Sequence, residues 1–108
     1  SVKYPENIMD DSDAKSFYGA VCAGIKKSTG ATDVEISEEL GQLALDIKAV
    51  IVKHTKRDWR DNVIVHRDIK KALDDLLFDY MEDHKLEWSL DTIDIIIDEI
   101  MMVAKKGY

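Results

Sequence analysis

Apolar residues recur at intervals of three and four along four stretches of the chain, the spacing that lines up one face of an α-helix. The four apolar stripes consist of Phe17, Tyr18, Val21 and Ile25; of Ile36, Leu40, Leu43, Ile47, Val50 and Ile51; of Ile69, Leu73, Leu76, Leu77, Tyr80 and Met81; and of Ile93, Ile96, Ile97, Ile100, Met101 and Ala104. The fourth stretch is also rich in β-branched residues, but its acids Asp91, Asp94 and Asp98 recur at helical spacing. The pattern therefore predicts an all-α fold, a compact bundle of about four helices.

Capping signals suggest where each helix begins and ends. Ser12 or Asp13 can cap the first helix, and Gly30 can end it. The segment Thr32–Glu35 has the form of a capping box, which predicts the start of the second helix. The same kinds of signal give the remaining expected ends: about Lys53 for the second helix, about Asn62 to His84 for the third, and Ser89 to Gly107 for the fourth.

The chain has the length and composition of one helical domain. Its 108 residues are 45% apolar and 34% charged, and no repeat, low-complexity tract or linker divides them. We therefore expect a single domain over residues 1–108, with residues 1–11 as a poorly structured lead-in. Because the chain starts with Ser1 and not with methionine, we also expect it to be a fragment of a larger protein.

The cysteine content and the hydropathy bear on the compartment. The single cysteine, Cys22, excludes an internal disulfide and fits a reducing environment. No apolar run approaches the roughly 18 residues needed to cross a bilayer. We therefore expect a cytoplasmic protein without a membrane partner.

Motifs that carry chemistry are missing from the sequence. His54, His66 and His84 share no helical face and have no Glu-x-x-His partner, and neither a phosphate-binding loop nor a dinucleotide fingerprint occurs. Cys22 lies between two apolar residues without a basic neighbour, which is typical of a structural thiol. The sequence predicts no catalytic, cofactor-binding or metal-binding residue, and no enzyme activity for this chain.

Charge is distributed unevenly along the chain. The formal net charge is −7, yet residues 53–71 carry seven basic and three acidic side chains, whereas residues 72–108 carry three basic and ten acidic ones. A basic patch can contact phosphates. Asp58, Asp61 and Asp68 interrupt this patch, however, and the acidic remainder of the chain would repel a nucleic acid. Polar pairing within the bundle or with an acidic partner is the first interpretation, and contact with the DNA backbone is the second.

The basic residues of this segment suggest a docking surface. Arg67, Lys70 and Lys71 are spaced by three and four residues, so they share one face of the third helix as a basic ridge. Arg60 is expected to face outward beside them.

The turn before this ridge is expected to be structural. Trp59 is expected to be a buried wedge between the second and third helices. Asp58 can cap or pair across the same turn.

Two segments of the chain resemble a known family when they are taken together: FYGAVCAGI and ELGQLALDIKAVIVKHTKRDWRDNVIVHRDIKKALDDLL. The family is the C-terminal helical domain of the R (motor) subunit of type I restriction-modification enzymes. The positions that carry the resemblance are Phe17 and Tyr18; Leu40, Leu43, Ala44 and Ile47; the Asp58–Trp59 turn; and Arg67, Ile69, Lys70 and Leu73. The resemblance spans roughly residues 12–103.

The resemblance implies a parent protein that translocates and cleaves DNA with ATP and Mg²⁺ as cofactors. Such a subunit joins a nuclease domain and two ATPase motor lobes to a helical end, and works with modification and specificity subunits. None of the family's catalytic motifs falls within these 108 residues. The role implied for this domain is assembly, by packing on the motor lobes and docking on the methyltransferase core.

Two other hypotheses remain open at this stage. The chain could be a nucleic-acid-binding helical module, whose affinity would fall steeply with salt. It could also be an unrelated small adaptor or DNA-mimic protein that works through its acidic fourth helix.

Overall fold

A computed structural model describes residues 3–108 and contains four helices. They are α1 (Ser12–Thr29), α2 (Glu38–His54), α3 (Val63–Asp83) and α4 (Leu90–Gly107). Single turns of 3-10 helix lie at Glu6–Ile8 and Trp59–Asp61, and residues 3–108 contain no β-strand. The predicted all-α bundle of four helices is confirmed.

Two helix ends follow the predicted capping signals. Gly30 ends α1 in the left-handed conformation, at φ 75°, which glycine adopts without a steric penalty. Ser89 caps α4, because its side-chain oxygen accepts a hydrogen bond of 3.1 Å from the amide of Thr92.

Two other helix starts differ from the prediction. The cap of α1 is Asp11, whose Oδ1 accepts from the amide of Ala14 at 3.0 Å, and not Ser12 or Asp13. The capping box at Thr32–Glu35 is not used, because Ser37 caps α2 in its place. Residues 31–37 do not form a helix, and Val34 in this segment packs against the core.

The segment before α1 is ordered, so the expected lead-in over residues 1–11 is wrong for its described part. Ile8 is completely buried, and the side-chain amide of Asn7 donates to the carbonyl of Glu38 at 2.9 Å. Lys48 on α2 forms an ion pair of 2.8 Å with Asp11. Burial of Ile8 favours the ordering of this segment, which its polar composition did not suggest. Ser1 and Val2 lie outside the described residues.

The helices form a ring in which each contacts two neighbours. α1 packs on α4 and α2, and α3 packs on α2 and α4. The α3/α4 edge therefore lies across the bundle from the α1/α2 edge. α1 lies close to α4 at Gly24, which faces the backbone of Ile96. Farther along the same contact, the hydroxyls of Ser28 and Thr92 share a hydrogen bond of 2.6 Å.

Candidate docking surface

The turn between α2 and α3 is built around Trp59. Its side chain is only 3% exposed, so the predicted wedge is confirmed as a buried residue. The indole meets the ring of His66, one turn into α3, edge to face at a centroid distance of 5.6 Å. The Nε1 of Trp59 and the Nε2 of His66 are both buried without a hydrogen-bond partner among residues 3–108. Shape and apolar burial therefore hold this corner together.

Asp58 has a backbone role and not the predicted capping role. It adopts the left-handed conformation, at φ 60°, and its side chain makes no cap hydrogen bond. Asn62 is the residue that caps α3, through bonds from the amides of Ile64 and Val65 to its side-chain oxygen. An aspartate tolerates the left-handed region better than most residues, which suits it to reversing the chain before Trp59.

Arg60 is exposed, as predicted, but its side chain is bonded to the end of α4. Its Nε donates to the carbonyl of Lys105 at 3.0 Å, and its guanidinium lies 5.8 Å from the ring centroid of Trp59. The 3-10 turn brings Arg60 to the end of α4, where carbonyls have no partner within the helix. Arg60 therefore joins the corner to α4 and does not belong to the ridge.

Arg67, Lys70 and Lys71 are all exposed on α3, as the predicted ridge requires. They form one wall of a groove of about 530 Å³ between α3 and α4. The groove is lined by Arg67, Lys70, Lys71 and Asp74 from α3 and by Asp94, Ile97 and Asp98 from α4. Lys71 forms an ion pair of 3.3 Å with Asp75, whereas Arg67 and Lys70 form none within the described chain. The ridge thus faces a row of carboxylates in its own molecule.

Two exposed apolar residues precede the ridge on α3. Val63 is 77% exposed and Ile64 is 62% exposed, although both are large and apolar. Sequence reasoning missed them, but a signal was present. The buried stripe of α3 contains Ile69 and Leu73, and its helical spacing extends backward to Val65, leaving Val63 and Ile64 outside it. Together the two residues form an exposed apolar pair at the start of α3, next to the ridge.

Phe17 and Tyr18, which carried part of the resemblance, are core residues. Phe17 is completely buried and stacks on Tyr108 at a centroid distance of 6.0 Å. The hydroxyl of Tyr18 is buried without a partner at hydrogen-bond geometry, and burial raises the pKa of this tyrosine to about 12. Cys22 and Tyr80 nearby raise this pKa further, whereas the backbone of Ser37 lowers it. These residues are structural and lie away from the ridge.

Cys22 lies half-buried on α1. Burial raises the pKa of its thiol, while the charge of Lys26, a basic neighbour that we did not predict from the sequence, lowers it in part. A raised pKa is expected of a structural thiol.

Residues 3–108 contain no cluster of three or more histidine, cysteine or acidic side chains arranged to hold a metal ion. Within the same range, no helix has both the length and the apolar character required to cross a membrane. Comparison with protein-family models, curated protein sequences and solved structures finds no match to the chain.

Proposed function

We propose that this chain is a non-catalytic docking domain that binds an acidic protein surface through the exposed face of α3. The observation that carries the proposal is the joint exposure of Val63 and Ile64 beside the unpaired cations of Arg67 and Lys70. Apolar side chains supply the burial in a protein interface, and surrounding charges supply its orientation and specificity.

The charges around the ridge favour a protein partner over DNA. Asp74, Asp94 and Asp98 line the same groove as the three ridge cations. A phosphate backbone approaching the ridge would meet these carboxylates, which offset the attraction that drives nucleic-acid binding. A protein surface can place an acid against each cation and keep its own acids away from the carboxylates.

The resemblance to type I restriction R subunits suggests the setting for this docking. In that setting the domain packs on the motor lobes of its own chain and docks on the modification and specificity subunits in the cytoplasm. ATP and Mg²⁺ serve the parent motor and nuclease, and DNA is engaged by the whole complex. The buried Trp59 turn and the exposed ridge are compatible with this role, since one stabilises the helix junction and the other is free to bind.

Reversal of the ridge charges tests the proposal. The triple variant Arg67→Glu, Lys70→Glu, Lys71→Glu should stay folded, because exposed charges each contribute only tenths of a kcal/mol to stability. Its binding to the methyltransferase core should fall at least about tenfold, because like charges meet across the interface. A control with the same charge change, Lys3→Glu, Lys26→Glu, Lys85→Glu, should bind like the unchanged protein.

Titrations of core complex and of duplex DNA at two salt concentrations separate the hypotheses. Core binding that the ridge reversal leaves unchanged contradicts the proposal. Salt-sensitive DNA binding that the same reversal abolishes would identify a nucleic-acid module instead.

A further inference from the structure

The groove between α3 and α4 has walls of opposite charge. The α3 wall is positive on balance, because it carries Arg67, Lys70 and Lys71 with one acid, Asp74, and the α4 wall carries Asp94 and Asp98. Arg67, Lys70, Asp94 and Asp98 take part in no ion pair within residues 3–108. Each wall therefore presents charges that remain available to another molecule.

Beyond one end of this groove, α3 and α4 each carry an exposed apolar side chain that does not line it. The bond from Arg60 to the carbonyl of Lys105 brings the start of α3 to the end of α4, so the two helices run antiparallel. Val63 lies one turn before Arg67 on α3, and Met102 lies one turn after Asp98 on α4. Both are exposed, at 77% and 55%. One helical turn beyond the charged groove, at the same end, each helix thus carries an exposed apolar side chain.

A surface of this kind is complementary to itself. Rotating a copy by half a turn about an axis that runs along the groove exchanges the two walls and keeps the ends together. The α3 wall of each copy then faces the α4 wall of the other, so Arg67 and Lys70 meet Asp94 and Asp98 twice. The same rotation sets Val63 of each copy toward Met102 of the other. An axis across the groove would instead set like charges against each other.

We propose that a second copy of this chain occupies the α3/α4 groove through a two-fold axis parallel to the two helices. Such an interface uses the same patch on both subunits, which is the commonest symmetry of soluble dimers. The exposed apolar area is small and the charges are at the surface, so the dimer is weak and sensitive to salt.

This inference goes beyond the proposed docking function, and the two can fail separately. The second copy and a partner protein would use some of the same residues and would compete. Self-association is measured on this chain alone, whereas the docking function is measured with the core complex. A chain that dimerises but does not bind the core complex contradicts the docking function alone. A chain that binds the core complex but stays monomeric contradicts the dimer alone.

Charge exchange across the symmetry axis tests the proposal directly. One variant carries Arg67→Glu and Lys70→Glu, and the other carries Asp94→Lys and Asp98→Lys. Sedimentation equilibrium of the unchanged chain should reveal a monomer–dimer equilibrium that weakens with salt. Each variant alone should dimerise at least about tenfold more weakly, because both of its contacts join like charges. An equal mixture should form a heterodimer, because both contacts then join opposite charges.

The mixture also controls for misfolding, since two misfolded variants could not restore each other. A control variant, Lys3→Glu with Lys26→Glu, changes the net charge by the same amount as Arg67→Glu with Lys70→Glu, but on the other edge of the bundle. It should leave dimerisation close to that of the unchanged chain. A chain that stays monomeric up to about 1 mM, where even weak specific association becomes visible, overturns the proposal. So does a mixture that associates no better than its components, or a variant that dimerises like the unchanged chain.

Discussion

A Cβ atom on Gly24 of α1 would lie 2.7 Å from the Cα of Ile96 on α4. Real Cβ atoms do not approach a backbone atom so closely, so α1 and α4 can pack at their observed distance only if residue 24 is glycine. Gly19, five residues earlier on the same helix, is exposed, and a Cβ there would meet nothing within 4 Å.

The two glycines should respond in opposite directions to substitution by alanine. Gly24→Ala should lower the free energy of unfolding by about 1–3 kcal/mol, because overpacking against backbone forces the helices apart. Gly19→Ala should raise it by up to about 1 kcal/mol, because alanine is the better helix former and no clash opposes it. Urea denaturation followed by circular dichroism measures both. A Gly24→Ala protein as stable as the unchanged chain would contradict the close helix contact.

Truncating Trp59 should destabilise the fold by about 3 kcal/mol or more, the cost typical of removing a buried aromatic side chain. Trp59→Phe should cost much less, because the indole Nε1 makes no hydrogen bond that phenylalanine would lose. Equilibrium unfolding in urea separates the two variants. A loss within about 0.5 kcal/mol for Trp59→Ala would be the response of an exposed residue and would contradict its burial.

Removing the buried hydroxyl of Tyr18 should stabilise the protein. The hydroxyl has no partner at hydrogen-bond geometry, so Tyr18→Phe should raise the free energy of unfolding by about 1 kcal/mol at neutral pH. A destabilisation of similar size would mean that the hydroxyl is bonded in solution. Tyr80→Phe, at a neighbouring half-buried tyrosine, is the comparison variant.

Alkaline pH should destabilise the chain through Tyr18 and Tyr108. Burial raises the pKa of each to about 12, while a tyrosine in the unfolded chain titrates near about 10. Above pH of about 10 the unfolded chain releases protons that the folded state retains, so stability is lost as pH rises toward about 12. Urea midpoints at about pH 9 and about pH 11 should differ less for Tyr18→Phe than for the unchanged chain.

Asp11 should contribute stability that depends on acid pH. The hydrogen bond from Lys48 holds the pKa of Asp11 below its usual value, and the amide of Ala14 lowers it further. This contribution is therefore present above the unfolded pKa of about 3.9 and is lost as pH falls through the lower folded value. Asp11→Asn keeps a capping oxygen but loses the ion pair. It should cost about 0.5 kcal/mol at pH 7 and nothing once the carboxyl is protonated.

Asp11→Ala separates the cap from the ion pair. It should cost about 1 kcal/mol more than Asp11→Asn, because it also removes the acceptor for the amide of Ala14. Unfolding curves at neutral and acid pH measure both variants. Equal stability of the two at neutral pH would exclude a capping role for Asp11.

The parts of the fold that could be predicted are those decided by local pattern. Every residue of the predicted α4 stripe, from Ile93 to Ala104, is buried, and Ser89 caps the helix. A strong period of 3.6 residues with a good cap leaves no competing structure for that segment. Trp59 was predictable in the same way, because a large aromatic residue between two apolar stripes has a core to enter.

The parts that could not be predicted depend on partners far away in the chain. Thr32 and Ser37 are both good caps; the structure uses Ser37, and Val34 between them packs against the core. Arg60 bonds to a carbonyl 45 residues later, which no local pattern encodes. For the candidate site, the spacing of basic residues on one helix was enough to predict the ridge. The acidic residues of α4 opposite it could be located only once the fold was known.

The contact between α1 and α4 determines which part of the molecule can fold last. Ser28 and Thr92 are 64 residues apart in the chain, and the bond from the hydroxyl of Tyr108 to Asp13 spans 95 residues. Contacts between such distant residues close late in folding, because the intervening loop must first lose its conformational freedom. During synthesis, a nascent chain that has released α1, α2 and α3 therefore still exposes the part of α1 that packs on α4. Folding ends only when α4 has left the ribosome, and a protein stalled before that point is a target for chaperones and proteases.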